Sequence, residues 1–111
     1  MDMDETSALH VQELRRGTVV LACLIRLRTP DYGYALLESL SELGFSVDAG
    51  TLYPLLRRLE KQGLLSSEWN TEEARPRKFY TTSALGHELA ETLTAERHEI
   101  DASLRALKKG I

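Results

Sequence analysis

The stretch from Asp48 to Tyr80 reads DAGTLYPLLRRLEKQGLLSSEWNTEEARPRKFY and decides the fold. Its first part has the period of an amphipathic helix that stops at Gly63, and two strand-like runs follow, Leu64–Trp69 and Arg77–Thr81. A helix followed at once by a hairpin with a basic tip is the order of a winged helix-turn-helix. In that arrangement the helix enters a DNA major groove and the hairpin lies beside it. The stretch therefore predicts duplex DNA as the partner.

The helix in this stretch divides into an apolar face and a polar face. At about 100° per residue, one narrow face suited to burial carries four leucines: Leu52, Leu55, Leu56 and Leu59. The opposite face and its flanks carry six other residues: Thr51, Tyr53, Pro54, Arg57, Arg58 and Lys61. Such groups can donate to phosphates and base edges or contact a thymine methyl group. The competing interpretation is a solvated helix whose basic side chains pair with Glu60 or with water.

Pro54 leaves the start of this helix open, because a proline inside a helix lacks its N–H and clashes with the carbonyl four residues back. Either the helix starts late, with Thr51 as its N-cap and Pro54 in the first turn, or it starts at Asp48 and bends.

The hairpin supplies the second part of the predicted DNA-binding surface. Its turn, residues 70–74, has no glycine, so we expect a loose loop rather than a two-residue turn. Arg75, Arg77 and Lys78 sit where a hairpin tip would reach phosphate or the minor groove, although Glu72 and Glu73 weaken that attraction. Trp69 is interpreted as packing between strand and helix, with ligand stacking as the alternative.

The net charge of −3 argues against a DNA-binding protein, but the distribution of charge argues for one. Residues 49–80 hold six basic side chains against four acidic ones, so positive charge concentrates in the helix and hairpin.

Composition and spacing exclude several other classes of protein. A chain of 111 residues supports one core, and it contains no apolar run long enough to span a membrane. His10, His87 and His98 lack metal-ligand spacing, and no Gly-rich phosphate loop precedes a helix. We therefore expect no metal, no cofactor, no catalytic residues and no enzymatic activity. The single Cys23 cannot form an intramolecular disulfide, which fits a reducing cytoplasm.

The remaining residues predict a mainly α-helical fold with a two-stranded wing and a long C-terminal helix. A first helix is expected over 14–27, and a second helix starts at Asp31 as N-cap and runs through Leu43. The predicted organisation has three parts: a flexible arm over 1–8, a winged helix-turn-helix domain over 9–82 and a dimerisation helix over 83–111.

The sequence of the C-terminal helix predicts that the protein forms a homodimer. Ser83 caps a helix over 84–108, roughly 36 Å long, with an apolar stripe of six residues: Leu85, Leu89, Leu93, Ile100, Leu104 and Leu107. The apolar surface of this stripe is larger than the small domain can cover, so we expect a second copy of the chain related by a twofold axis. Glu96 falls within the stripe. It either sets the register, meets a basic group of the other subunit, faces a ligand cavity, or occupies a solvated peripheral position.

Four blocks of the sequence, in this order along the chain, resemble the signature blocks of PadR-like transcriptional regulators: Glu13–Thr18, Asp31–Tyr34, Gly50–Glu60 and Arg75–Tyr80. The block beginning Gly-Thr-Leu-Tyr-Pro is the specific one. The length is similar to the small subclass of that family, in which one dimerising helix follows the winged domain. The chain departs from the family at Glu73-Ala74, where the family often has glycine, so the resemblance does not define the conformation of the wing.

The resemblance implies a bacterial dimeric repressor that contacts DNA through Thr51, Tyr53, Pro54, Tyr34 and the basic residues nearby and in the wing. We therefore expect a cytoplasmic, nucleoid-associated homodimer that binds a palindromic operator. Release by a small-molecule effector of unknown identity at the dimer interface is left open. The alternative is a winged-helix module that binds proteins rather than DNA, since the fold alone does not define the ligand.

Overall fold

The computed structural model describes residues 2–72 and 74–110 as five helices and three strands. In chain order they are α1 Met3–Arg16, α2 Val19–Arg26, β1 Asp31–Tyr32, α3 Gly33–Glu42, α4 Ala49–Lys61, β2 Leu65–Asn70, β3 Arg77–Thr82 and α5 Ala84–Lys108. Helices α3 and α4 form the helix-turn-helix, and β2 with β3 forms the wing. The described chain is elongated, 59 × 35 × 19 Å.

The sheet has three antiparallel strands in the order β1-β3-β2, so the prediction of a two-stranded wing was incomplete. The additional strand is short, and it pairs Asp31 with Tyr80 and Tyr32 with Phe79. Asp31 was also wrongly predicted as the N-cap of the second helix, because Tyr32 occupies that position. The Asp31 carboxylate instead accepts a hydrogen bond from Arg26 at the end of α2.

The N-terminal region also differs from the prediction. The expected helix over 14–27 is two helices, because α1 ends at Arg16 and the Thr18 hydroxyl donates to the Arg15 carbonyl oxygen at 2.6 Å. The predicted flexible arm over 1–8 is wrong for residues 3–8, which lie in α1. Asp2 caps that helix by accepting from the backbone N–H of Glu5. Met1 lies outside the described residues.

The elements that carry the predicted interface agree with the sequence-based expectations. Asp48 caps α4 through a 2.8 Å hydrogen bond to the backbone N–H of Thr51, so the helix starts early and Pro54 lies inside it. The two wing strands fall within one residue of their predicted bounds. Gly63 ends the helical region with a φ of 78°, a left-handed conformation that favours glycine.

The core consists of leucines that the helices bring together. Eight side chains are essentially inaccessible to solvent: Cys23, Leu24, Leu27, Leu36, Leu40, Leu52, Leu56 and Leu59. Three of the four leucines on the predicted apolar face of α4 belong to this set, which confirms that face. On the other side of α4, Tyr53 is partly buried against this core, and Thr51, Pro54, Arg57, Arg58 and Lys61 are exposed.

A buried junction connects α2, β2, β3 and α5. Thr82, at the end of β3, donates through its hydroxyl to the Leu24 carbonyl oxygen at 2.7 Å and through its N–H to the Leu27 carbonyl oxygen at 2.9 Å. Ser83 caps α5 by accepting from the Gly86 N–H, as predicted, and its own hydroxyl donates to the Gly63 carbonyl oxygen. The start of α5 is thereby attached to both ends of the wing.

Substitution of Gly86 by alanine should destabilise the protein, because a Cβ there would overlap the Leu64 carbonyl oxygen and lie 2.7 Å from Thr82 Cγ2. We expect Gly86→Ala to lower the free energy of unfolding by about 1–3 kcal/mol in urea titrations at a fixed protein concentration. Gly50→Ala is the matched control, since its nearest neighbour would be Asp48 Oδ1 at 3.5 Å. Equal stability of the two variants would contradict the close packing at Gly86.

Candidate nucleic-acid interface

The outward face of α4 is exposed as the sequence predicted. Thr51, Pro54 and the three basic residues Arg57, Arg58 and Lys61 are open to solvent. Within residues 2–72 and 74–110, no acidic side chain pairs with any of those three cations. The pairing of these cations with Glu60 is therefore wrong, whereas a face solvated by water, the other half of the competing interpretation, is consistent with their exposure. Three unpaired cations on one exposed helix face form a surface suited to a polyanion.

Glu60 instead connects α4 to the wing. Its carboxylate accepts hydrogen bonds from the Ser67 hydroxyl on β2 and from the Lys78 amine on β3, the latter at 3.1 Å. The Ser67 hydrogen bond and the Lys78 charge lower the pKa of Glu60, and the Glu60 hydrogen bond raises the pKa of Lys78. Lys78, predicted to meet phosphate, is thus half-buried in an ion pair. Its remaining positive field is largely cancelled by Glu60.

A groove of about 660 Å³ lies between the start of α3, α4 and the wing. It brings together five of the predicted DNA-binding residues: Tyr34, Tyr53, Arg75, Arg77 and Lys78. Two tyrosines that the sequence analysis did not select also line it, Tyr32 and Tyr80. The groove therefore combines aromatic rings and cations, a combination suited to sugar and phosphate.

Tyr53 and Tyr34 occupy different positions in this groove. The Tyr53 ring packs directly on Gly33, where a Cβ would come within 2.5 Å of its Cε1 atom, so only glycine allows this contact. Tyr34 is exposed, and the Glu38 carboxylate one turn further along α3 raises the pKa of its phenol. The hydrogen bond to Glu38 therefore favours the protonated form of the Tyr34 phenol.

Strand β1 positions the wing through an aromatic contact that the sequence analysis missed. The rings of Tyr32 and Phe79 lie 4.1 Å apart, and the Arg77 guanidinium lies 4.7 Å from the centre of the Tyr32 ring. The signal was present in the Asp31–Tyr34 block, but two residues are too few for a strand to be recognised from periodicity. Arg77 is therefore held against the domain rather than extended from the wing.

Trp69 does not pack between strand and helix, so that interpretation was wrong. Its side chain is 64% exposed on the edge strand β2. The core next to the wing is closed by Leu64, Leu65 and Tyr80, which are buried. Trp69 lies nearer the wing turn than these residues, opposite Lys78.

Three other predicted α4 contacts face a second cavity, whereas Arg57 and Lys61 line neither space. A space of about 690 Å³ opens between the end of α1, the segment before α4, and α4 itself, and Thr51, Pro54 and Arg58 line it. Arg15 lines the same space from α1, where it donates to the Leu43 carbonyl oxygen at 3.3 Å. Thr51, Pro54 and Arg58 thus lie apart from the tyrosine-lined groove.

The predicted dimer residues divide into two groups along α5. Leu89 and Leu93 pack partly on the core of their own domain. Beyond them Ile100, Leu104 and Leu107 are 56%, 57% and 70% exposed, and Leu85 and Glu96 are also exposed. The second half of the stripe therefore has no partner within the described chain.

The described residues contain no cluster of side chains able to hold a metal ion, and none of the described helices is long and apolar enough to cross a membrane. Cys23 is fully buried, and this burial raises the pKa of its thiol from 9.0 to about 12.

Comparisons with known proteins agree with this geometry. Residues 20–92 match the sequence profile of the transcriptional regulator PadR-like family. Transcriptional regulator Rv3488 of Mycobacterium tuberculosis is 34% identical over 101 residues, which cover 90% of this chain and 92% of that protein. A PadR family transcriptional regulator from Eggerthella lenta superimposes with a TM-score of 0.88 at 45% identity, covering 94% of this chain and 93% of that one. A PadR-like transcriptional regulator from Bacillus cereus gives a TM-score of 0.76 at 26% identity, covering 86% and 95%. These matches confirm the resemblance seen in the sequence blocks.

The buried thiol yields a test of reactivity. Because the pKa of Cys23 is about 12, thiolate is scarce at neutral pH, and we expect native protein to resist thiol-reactive reagents up to pH 9.0. Protein unfolded in urea should react rapidly. Stability from the buried neutral thiol is complete below pH 9.0, the ordinary pKa, and falls as the pH rises toward about 12. Rapid labelling of the native protein at pH 7 would contradict the burial.

Proposed function

Because the chain belongs to the PadR-like family of transcriptional regulators, we propose that it acts as a homodimeric repressor that binds a palindromic DNA operator. The proposal includes no enzymatic activity, since such a regulator acts by binding alone. Its site of action would be the nucleoid in a bacterial cytoplasm.

The observation that carries the proposal is the exposed face of α4 beside the tyrosine-lined groove. Arg57 and Lys61 are solvent-exposed with no acidic partner in the described chain, and Tyr53 reaches from the same helix into the groove. A helix of this shape fits a major groove, where Arg can read guanine by two hydrogen bonds. In the proposed complex α4 reads bases, and the wing with Tyr34 contacts the backbone.

The proposed assignment divides the basic residues by task. Arg75 in the wing turn is exposed and would neutralise a phosphate directly. Arg77 is stacked on Tyr32, and Lys78 is paired with Glu60, so both would act mainly by orienting the wing. With few free cations and a net charge of −3, we expect weak non-specific binding and a strong dependence on base sequence.

Dimerisation is proposed from two unpartnered apolar surfaces. One is the second half of the α5 stripe, made of Ile100, Leu104 and Leu107. The other is α1, a helix with no buried residue, on which Met3 and Leu14 are exposed within about 20° of one another. An isolated helix of this length is marginal in water, so α1 needs a surface to pack on. A second copy of the chain, packed through α5 and α1, would cover both surfaces.

Release by an effector is proposed at a cavity within the described chain and not at the dimer interface, the place that the sequence analysis left open. The cavity of about 690 Å³ borders Asp48 and Thr51, the first residues of the proposed reading helix. A small molecule bound there would favour a different position of the start of α4, and so weaken DNA binding. Its chemical identity is not part of the proposal.

Operator selection tests the function directly. Full-length protein is mixed with genomic fragments of a bacterial host in about 0.15 M salt, and the retained fragments are sequenced. The proposal expects a short palindrome to be enriched. Retention without any shared sequence, or no retention at all, would favour the alternative of a module that binds proteins.

Two variants should separate base reading from backbone contact. Arg57→Ala should reduce the binding free energy by about 1–3 kcal/mol for the selected operator and by much less for a random duplex. The reason is that a lost base contact matters only where the correct base is present. Arg75→Ala should weaken binding to both duplexes alike. It should also reduce the slope of log affinity against log salt concentration by about 1 per subunit. Affinities of both variants for both duplexes at several salt concentrations decide this. If Arg75→Ala alone removed discrimination, the two tasks would be reversed.

The dimer proposal is tested on the exposed half of α5. Ile100→Asp combined with Leu104→Asp should yield monomers, because charge on that stripe would have to be desolvated on association. Ala102→Asp, on the opposite side of the helix, is the matched control and should remain dimeric. Leu93 is left intact because it packs on its own domain. Light scattering that still reported a dimer for the double variant would locate the interface elsewhere.

A further inference from the structure

Trp69 is the only tryptophan of the chain, and neither the core nor the proposed base-reading helix uses it. An indole that is 64% exposed keeps a large apolar surface in water. Exposed tryptophans of this kind are enriched where one protein surface meets another molecule, because one ring offers both an apolar face and an N–H donor. The surroundings of Trp69 indicate which molecule that is.

The register of the hairpin defines the side of the wing on which Trp69 lies. Alternate residues of a strand share a face, and directly opposed residues of an antiparallel pair do as well. Trp69 is opposed to Lys78, and it alternates with Ser67. Both of those residues bind Glu60 of α4. Trp69 therefore lies on the side of the wing that faces α4, and closer to the wing turn than Ser67.

Exposed charges on the elements around this face include three cations, and Glu72 is an exposed acid in the wing turn. Arg57 lies one turn before Glu60 on α4, Lys61 lies directly after it, and both are exposed. Arg75 is exposed in the wing turn. Glu60 itself is neutralised by Lys78. Glu68 is next to Trp69 in sequence, but strand alternation places it on the opposite face. An indole on the side of the wing that faces a helix with exposed cations matches a partner that is a polyanion with apolar surfaces between its charges.

We propose that Trp69 packs against the sugar–phosphate backbone of bound duplex DNA. The contacted DNA strand is the one whose backbone separates the groove read by α4 from the groove beside the wing. The indole ring covers a deoxyribose, and its N–H donates to a phosphate oxygen. Such a contact positions the wing on the duplex and carries no sequence information. The inference rests on the proposed function, and it adds an uncharged anchor to the cationic ones.

The single tryptophan makes the contact directly observable. Wild-type dimer is titrated with fluorescently labelled operator, and the anisotropy of the label is followed together with the emission of Trp69. We expect the tryptophan emission to shift to shorter wavelength or be quenched, with the same midpoint as the anisotropy. Unchanged emission in samples where the anisotropy reports full binding would overturn the proposal and leave the proposed function intact.

Substitutions then separate an anchor from a base reader. Trp69→Ala should weaken binding to operator and to a random duplex alike, by about five- to tenfold, without changing the salt slope, because no charge is removed. Trp69→Phe should recover part of the affinity by restoring an apolar ring. Ser66→Ala, exposed on the opposite face of β2, is the matched control and should bind as wild type.

The remaining outcomes are equally decisive. Wild-type affinity in Trp69→Ala would overturn the proposal, and so would a loss confined to the operator, which would make Trp69 a base reader. Thermal unfolding of each variant verifies that it is folded, and the wild-type emission test does not depend on any variant. If wild-type protein binds neither duplex, the proposed function itself fails, which is a different result from duplex binding without a Trp69 response.

Discussion

The junction around Thr82 is the constraint on which the rest of the structure depends. Two hydrogen bonds from this buried residue attach the end of β3 to the carbonyl end of α2, and Ser83 and Gly86 continue the attachment into α5. The wing, the core and the start of α5 are consequently joined at this one point. In a dimer built through α5, that point would determine how the two reading helices are oriented relative to each other.

A second constraint acts at the interface, where Glu60 joins α4 to both wing strands. A partly exposed ion pair of this kind contributes only about 1 kcal/mol or less to stability, so its main effect is geometric. The ion pair holds the wing at a defined distance from α4. It also neutralises the charges of one acidic and one basic side chain at the surface. Among the described residues no acidic side chain pairs with Arg57 or Lys61, so α4 presents exposed cations although the net charge of the chain is −3.

Much of the fold and part of the candidate site could be predicted from sequence because the signals are local. Leucine periodicity and the Asp48 and Ser83 caps define where α4 and α5 begin, and Gly63 defines where the α4 region ends. The same periodicity identified the exposed face of α4, since a residue opposite a buried leucine must point outward. Helix–coil preferences, caps and glycine stops act over a few residues, so they can be read from one chain.

From sequence alone α4, α5, the two wing strands and the polar face of α4 could be located, because their signals are local. The division of the N-terminal region into α1 and α2, and every feature that depends on contacts between distant residues, required the folded structure. Strand β1 exists because Tyr32 meets Phe79, and Lys78 is occupied because Glu60 lies opposite it. Trp69 is exposed because it lies near the wing turn, beyond the buried Leu65 and Tyr80. Periodicity reports which side of an element is apolar. Only packing determines which apolar side chains find space and which charges find partners.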